Sequence, residues 1–163
     1  AMGWFVIGGL DMLELLPCES EDRKWAEKVV SELVSALLKY QDKNVGLWYQ
    51  VVDKPDCRGN WHESSCSMLF TCAVMRCVRL GLLPRSALEQ AKKGLDGVHT
   101  CVHISKDNEF VLNKICVGTG IGSYEYYIKR ETSANDLHGM GAYLLMCAEA
   151  IKTFGENTAA EIE

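Results

Sequence analysis

One stretch, Gly59 to Leu82, limits what this chain can fold into more than any other. It opens on a polar and aromatic cluster, Gly59-Asn-Trp-His-Glu-Ser-Ser65. It then runs through Met68, Leu69, Phe70, Cys72, Ala73, Val74, Met75, Cys77 and Val78 with almost no polar face. Asn60 is placed to cap the helix, and Glu63, three residues on, to reach back in a capping box. Arg76 and Arg79 suit the last turns, and Gly81 and Pro84 end the run. A helix apolar on every side belongs in an interior. The rest of the chain must therefore sheathe it, with the polar cluster held at one end of the assembly.

The flanking segments fit that demand. A first helix is expected over Gly3 to Leu16, apolar nearly all round and stopped by Pro17. Ser20 caps a second, with Glu21 and Asp22 in its first turn and a stripe of Trp25, Val29, Leu33 and Leu37, joined by Val30, Val34 and Leu38. Gly46 to Val52 reads as a short strand. Pro84 starts a fourth helix with Leu88, Ala91, Leu95, Val98 and Val102 on one face. Phe110 to Val117 reads as a second strand, followed by a Gly- and Tyr-rich loop. A fifth helix is expected over Leu137 to Phe154, with a frayed tail at residues 155–163. Helices one, three and five are thus apolar all round, while two and four each keep a wet face. Connections alternate short and long, and the strands fall in the long ones. That alternation predicts an all-α fold of consecutive α-hairpins forming part of an α/α toroid, one domain over residues 1–154 with two short β-segments in the long loops.

Composition narrows function. A net charge of −5 in 163 residues argues against a nucleic-acid partner. No apolar run reaches the roughly 18 residues of a membrane helix. Eight cysteines lack any Cys-x-x-Cys pair, and Cys66, Cys72, Cys77, Cys101 and Cys147 sit in apolar helical patterns. They read as small buried hydrophobes in a reducing, cytoplasmic setting rather than as a disulfide framework or a metal site.

The long-loop end gathers Trp4, Trp48, Tyr49, Trp61, His62, Glu63, Tyr124, Glu125, Tyr126, Tyr127, Asn135, Asp136 and His138. Flat rings among carboxylates and amides suit a sugar, because rings stack on C–H faces while polar groups take hydroxyls. The same aromatics could simply pack loops onto helix ends. Glu63 and Asp136, each at a helix start, fit a base or hydroxyl acceptor as well as a structural cap. With Glu125 they are the candidates for a glycosidase acid pair. Gly118-Thr-Gly-Ile-Gly122 follows a strand but is followed by Ser-Tyr-Glu-Tyr-Tyr rather than a helix, so it reads as turns, not a phosphate loop. His99 and His103 share a face of the expected fourth helix without a third metal ligand.

Several segments in order resemble glycoside hydrolase family 105, the unsaturated rhamnogalacturonyl and glucuronyl hydrolases. They are Gly46-Leu-Trp-Tyr-Gln-Val-Val-Asp-Lys-Pro55, Gly59-Asn-Trp-His-Glu-Ser-Ser-Cys-Ser-Met-Leu-Phe70 and Val78-Arg-Leu-Gly81. Gly122-Ser-Tyr-Glu-Tyr-Tyr127, Asn135-Asp-Leu-His-Gly-Met-Gly141, Gly3-Trp-Phe-Val6 and Asp11 to Pro17 complete the set. The resemblance implies an (α/α)6 barrel that hydrates the C4=C5 double bond of unsaturated uronic acids at the end of pectin-derived oligosaccharides. It implies no metal or cofactor, and an aspartic acid that protonates the double bond. The matched segments all fall in the family's C-terminal half, and that aspartate has no counterpart among them. Trp4 is the residue expected to stack on the sugar, and Trp61, His62, Glu63, Ser64, Tyr124 and Asp136 complete the expected substrate-binding set. The partners expected are an oligosaccharide and, for the open helix edges, either an N-terminal half or a second copy of the chain. The alternative is a non-catalytic carbohydrate-binding or scaffolding module that pairs two half-barrels.

Overall fold

The computed structural model describes residues 2–159, with side chains through residue 155. Its helices are α1 (Met2–Leu15), α2 (Glu21–Leu38), α3 (Ser64–Arg79), α4 (Leu88–His99), the short α5 (Tyr124–Ile128) and α6 (Leu137–Ala159). A single 3-10 turn at Arg85–Ala87 leads into α4. Six strands of two or three residues pair as antiparallel ribbons. These are β1 (Trp48–Tyr49) with β2 (His62–Glu63), β3 (Val102–Ile104) with β4 (Phe110–Leu112), and β5 (Ile115–Cys116) with β6 (Thr132–Ser133).

α3 is the axis. Every residue from Ser64 to Cys77 except Cys66 is buried. α1, α4 and α6 pack directly on it, and α2 packs on α1 and touches α3. α1, α3 and α6 form an inner row and α2 and α4 an outer one, an arc of the expected toroid. The α1–α2 and α3–α4 connections are short, while those entering α3 and α6 are long and carry the ribbons. The ribbons therefore collect at the N-terminal ends of the inner helices.

Glycine permits two of these placements. Gly46 has φ +80°, and a Cβ there would lie 2.0 Å from the Lys93 carbonyl oxygen, so that loop can seat on α4 only without a side chain. A Cβ on Gly139 would lie 2.5 Å from Ile115, so the first turn of α6 can rest on β5.

Local differences from the sequence expectation have physical causes. α3 begins at Ser64 with Glu63 as its N-cap, not at Asn60. Residues 62–63 pair with β1, and the Asn60 side chain bonds Val51 and Lys54 instead. Trp25 is 64% exposed, and the buried stripe of α2 is Ala26, Val30, Val34 and Leu37. Val30 lies against Gly9, where a Cβ would come within 2.8 Å, and that contact sets the roll of α2. α4 ends at His99; Val102 and His103 pair with β4, so His99 and His103 do not share a helix face. The strand expected over Phe110 to Val117 breaks at Lys114, which takes φ +60°. A five-residue helix capped by Ser123 follows the glycine loop, where a loop was expected. Trp48, expected among the aromatics of the open end, is fully buried, with its Nε1 donating to the Leu37 carbonyl. Of the tail expected to fray over 155–163, residues 160–163 lie outside the described residues.

Two helix faces are uncovered. Phe5, Met12 and Leu15 line one side of α1, with Leu15 85% exposed. Leu137, Leu144 and Ile151 line one side of α6, with Ile151 71% exposed. Among the described residues no helix is long and apolar enough to cross a membrane. All eight cysteines are unpaired: Cys72, Cys77, Cys101 and Cys116 are buried, Cys66 and Cys147 half-buried, Cys18 and Cys57 exposed.

Candidate functional site

The start of α3 sets the geometry. Glu63 ends β2 and caps α3, so its carboxylate turns inward, where it is 2% exposed. Oε1 accepts from the Ser65 N–H at 3.0 Å, the Ser65 hydroxyl at 2.8 Å and the Cys116 N–H at 2.9 Å. Oε2 accepts from the Cys66 N–H. A buried carboxylate is tolerated when donors surround it, and here they fasten β5 to the first turn of α3. The Glu63 carbonyl accepts from the Ser67 hydroxyl at 2.6 Å, and the Ser67 hydroxyl oxygen in turn accepts the Trp48 N–H at 2.9 Å. Both strands bracketing the helix start are thus tied to this one residue. Burial, and next the adjacent Glu63 carboxylate, push the Cys66 thiol well above its ordinary value, so it stays neutral.

Above this cap lies a cavity of about 850 Å³. Trp4 on α1, Gln50 and Asp53 after β1, Glu63 and Ser65, Cys116 and Thr119, Tyr127 and His138 supply its polar and aromatic lining. Leu33, Leu37, Leu69 and Phe70 contribute apolar wall. A cleft of this size with a few convergent polar groups suits one or two sugar rings. Trp4 is 45% exposed, so its ring is open to a ligand. Gln50 Nε2 donates to the Cys116 sulfur at 3.0 Å, which fixes the amide within the wall.

At the entry to α6, His138 Nδ1 meets Asp136 Oδ1 at 2.7 Å, and the same oxygen accepts the His138 N–H at 3.2 Å. His138 lines the cavity and Asp136 stands behind it.

The other expected site residues lie elsewhere. Trp61 and His62 line a separate depression of about 480 Å³ with Tyr49, Asn60, Lys114 and Thr132. His62 Nε2 is 3.0 Å from Asp42 Oδ2, and its ring lies 4.1 Å from that of Tyr49. Burial pushes Asp42 up, but the N–H groups of Asn44 and Val45, then His62 and Tyr49, outweigh it and leave the carboxyl below its ordinary range. Burial first, and Asp42 next, push the Tyr49 phenol up. Trp61 Nε1 donates to the Ile128 carbonyl at 3.2 Å. Ser64 is buried, and its hydroxyl donates to the Asn113 carbonyl at 2.8 Å. The Tyr124 hydroxyl donates to the Arg58 carbonyl at 3.2 Å.

The structure therefore brings Trp4 and Glu63 together at one cavity and leaves Trp61, His62, Ser64, Tyr124 and Asp136 off its lining. Glu125 lies off it too, so Glu63, Glu125 and Asp136 do not converge as an acid pair. Gln50, Asp53, Cys116 and Thr119 were not singled out from the sequence. Gln50 and Asp53 fall within the motif Gly46 to Pro55, and Thr119 within the glycine loop after Cys116, which reads as turns and forms the cavity rim from Val117 to Ile121. Among the described residues no group of three or more His, Cys, Asp or Glu is placed to hold a metal ion.

Comparison with known proteins locates this arrangement. The family model described as Glycosyl Hydrolase Family 88 matches residues 1–154. Protein Atu3128 of Agrobacterium fabrum (strain C58 / ATCC 33970) is 27% identical over 93% of this chain and 70% of its own length. The 24.9 kDa protein in picA locus of Rhizobium radiobacter matches to the same extent, at 27% identity over 70% of its length. The solved structure of a family 105 glycoside hydrolase from C. acetobutylicum ATCC 824 is similar at 38% identity and a TM-score of 0.85, over 91% of this chain and 43% of that one. A possible family 105 member from Salmonella enterica subsp. enterica serovar Paratyphi A str. ATCC 9150 is similar at 27% identity and a TM-score of 0.80, over 93% and 39%. The chain thus spans about two-fifths of the length of the solved structures it matches, 43% and 39%.

Proposed function

We propose that this chain, which belongs to glycosyl hydrolase family 88, forms one wall of the sugar pocket in a hydrolase of unsaturated uronides. The reaction is hydration of the C4=C5 bond of the terminal uronic acid of a pectin-derived oligosaccharide, followed by collapse of the hemiketal and release of the next sugar. The observation that carries this reading is the cavity of about 850 Å³ at the N-terminal ends of the inner helices, with Trp4 open in its wall. Trp4 stacks on the sugar ring, and Gln50, Ser65 and Thr119 form the polar wall that its hydroxyls face.

The proton donor lies elsewhere in the complete enzyme. Of the two carboxylates at the cavity, Glu63 is engaged by four donors as a structural cap, and Asp53 is exposed at the rim. The bare faces of α1 and α6 are where the remainder of the toroid packs. Loss of ultraviolet absorbance from an unsaturated rhamnogalacturonan disaccharide tests this. The chain alone should turn over little, and a longer polypeptide that completes the toroid should turn over readily. Robust turnover by the 163-residue chain would overturn the assignment of the acid to another segment.

A second reading, a binding module in which two half-barrels pair, is favoured by those same faces, Phe5, Met12 and Leu15 on α1 and Leu137, Leu144 and Ile151 on α6. A monomer by light scattering rules it out.

A further inference from the structure

We propose that His138 recognises the ligand's carboxylate in the main cavity, an inference that rests on the uronide reading given above. A uronic acid differs from a neutral sugar by one negative charge, and a donor that can carry positive charge favours that group over a hydroxyl most strongly. Among the described residues lining the cavity, His138 alone can carry positive charge. The carboxylates there, Asp53 and Glu63, would repel the same group, and Glu63 is masked by the four donors around it.

The orientation of His138 is set by its neighbour. Asp136 Oδ1 holds Nδ1 at 2.7 Å and also accepts the backbone N–H of the same residue at 3.2 Å. One oxygen therefore holds both the ring, at Nδ1, and the backbone of the same residue, the way an orienting carboxylate fixes the tautomer of a functional histidine. Nδ1 is committed to Asp136, and Nε2 is the nitrogen left for a ligand. In the protonated ring Nε2–H is a donor, and a charge-assisted bond to a carboxylate is stronger than one to a hydroxyl. Gly139, next in sequence, lets the first turn of α6 sit directly on β5, where a Cβ would meet Ile115 at 2.5 Å. That contact sets His138 at the cavity rather than above it. His138 is a recognition residue and Asp136 a positioning residue; neither is assigned a step in the chemistry.

Calorimetric titration of the full chain with two probes tests this: a disaccharide ending in Δ4,5-unsaturated galacturonate, and its methyl ester. The acid should bind about tenfold more tightly than the ester, the size of one hydrogen bond to a charged group. His138→Ala should remove that preference, lowering acid affinity about tenfold more than ester affinity. Asp136→Asn, which keeps the imidazole but loosens its aim, should reduce the preference without abolishing it. Trp4→Ala should weaken acid and ester alike. Equal loss of both ligands in His138→Ala, or an acid preference that survives it, overturns the assignment while the sugar site stands. If the wild-type chain binds neither probe and Trp4→Ala changes nothing, the uronide reading of the cavity falls, and this inference with it.

Discussion

The two ends of α3 each bury a charge, and they neutralise it by different means. At the N-terminal end Glu63 is held by backbone N–H groups and a hydroxyl, all neutral dipoles. At the C-terminal end Arg76 meets Asp11 at 2.8 Å and Glu14 at 3.1 Å, and Arg79 meets Glu14 at 2.9 Å and Glu149 at 2.7 Å. Those are ion pairs reaching from α3 to α1 and α6. Both arrangements agree with the helix dipole, which favours an anion at the start and cations at the end. They differ in what they leave behind. Dipoles consume no second charged side chain, so the upper end remains a cavity. Ion pairs join three inner helices and fill the lower end. The fold places its closed, clamped end opposite the open one.

The largest expected effect comes from breaking the upper end. Glu63→Ala leaves the N–H groups of Ser65, Cys66 and Cys116 without their acceptor in a buried place and detaches β5 from α3. A loss of about 4 kcal/mol in urea unfolding is expected, together with loss of the proposed sugar binding, because Cys116 and Thr119 line the cavity. At the lower end, Arg79→Ala strands Glu149, whose side chain is 5% exposed. About 3 kcal/mol is expected there, with the proposed sugar binding retained. If both variants lose binding in proportion to stability, the two ends are not separate devices.

Acid offers a smaller test. The Arg79 hydrogen bond, against an opposing burial effect and with help from Arg76, holds Glu14 below its ordinary 4.5. A carboxylate whose folded value is depressed contributes stability above the unfolded value and loses it as pH falls through the folded one. Stability from the lower end should therefore fade below about pH 4.5, and by under about 1 kcal/mol, since Glu14 is 43% exposed and screened by water. Arg79→Ala should flatten that part of the titration. The part due to Asp42, also held below its ordinary 3.8, should persist. A pH titration of unfolding midpoints in both proteins reads this directly.

How much of this was legible depended on whether the cause was local. Ser20 as a cap, the burial of α3 and the alternation of short and long loops are written in neighbouring residues. The start of α3 was not. Asn60 and Glu63 have true capping-box spacing, yet the pairing of β1 with β2, a contact between residues 48–49 and 62–63, moved the helix start to Ser64. Likewise Val102 continues the helical spacing of Leu95 and Val98, but its pairing with Leu112 makes it strand. The faces of α1 and α6 show a further limit. Periodicity reports that Phe5 and Leu144 suit burial, not that anything covers them. At the site, Trp4 and Glu63 were readable because each opens a helix. Gln50, Cys116 and Thr119 were not, because ribbons joined through Glu63 bring them there. His138 stood two residues after a helix-starting aspartate, a spacing that already put the two side chains within reach.

Salt should separate the ends by the smallest margin. Asp11 is 60% exposed while Arg76, its partner, is 9% exposed, so the pair is half in solvent. Counter-ions screen exposed charges beyond a few ångströms and weaken such pairs, whereas a carboxylate surrounded by its own donors has no exposed partner to screen. A double-mutant cycle on Arg76 and Asp11, run at low and at molar sodium chloride, should show a coupling of about 0.5–1 kcal/mol that shrinks with salt. The analogous cycle on Glu63 and Ser65 should not change, since Ser65 is neutral and the contact is buried. Arg76 also has a buried Nε without a hydrogen-bond partner. Replacing it by Met should therefore cost less than Ala, because the stem still fills its place between α1 and α3 while the unpaired N–H is gone. If the Met variant is as destabilised as the Ala variant, charge rather than packing governs the lower end. A Glu63 cycle that weakened in salt would in turn place that carboxylate in contact with solvent and end the distinction between the two ends.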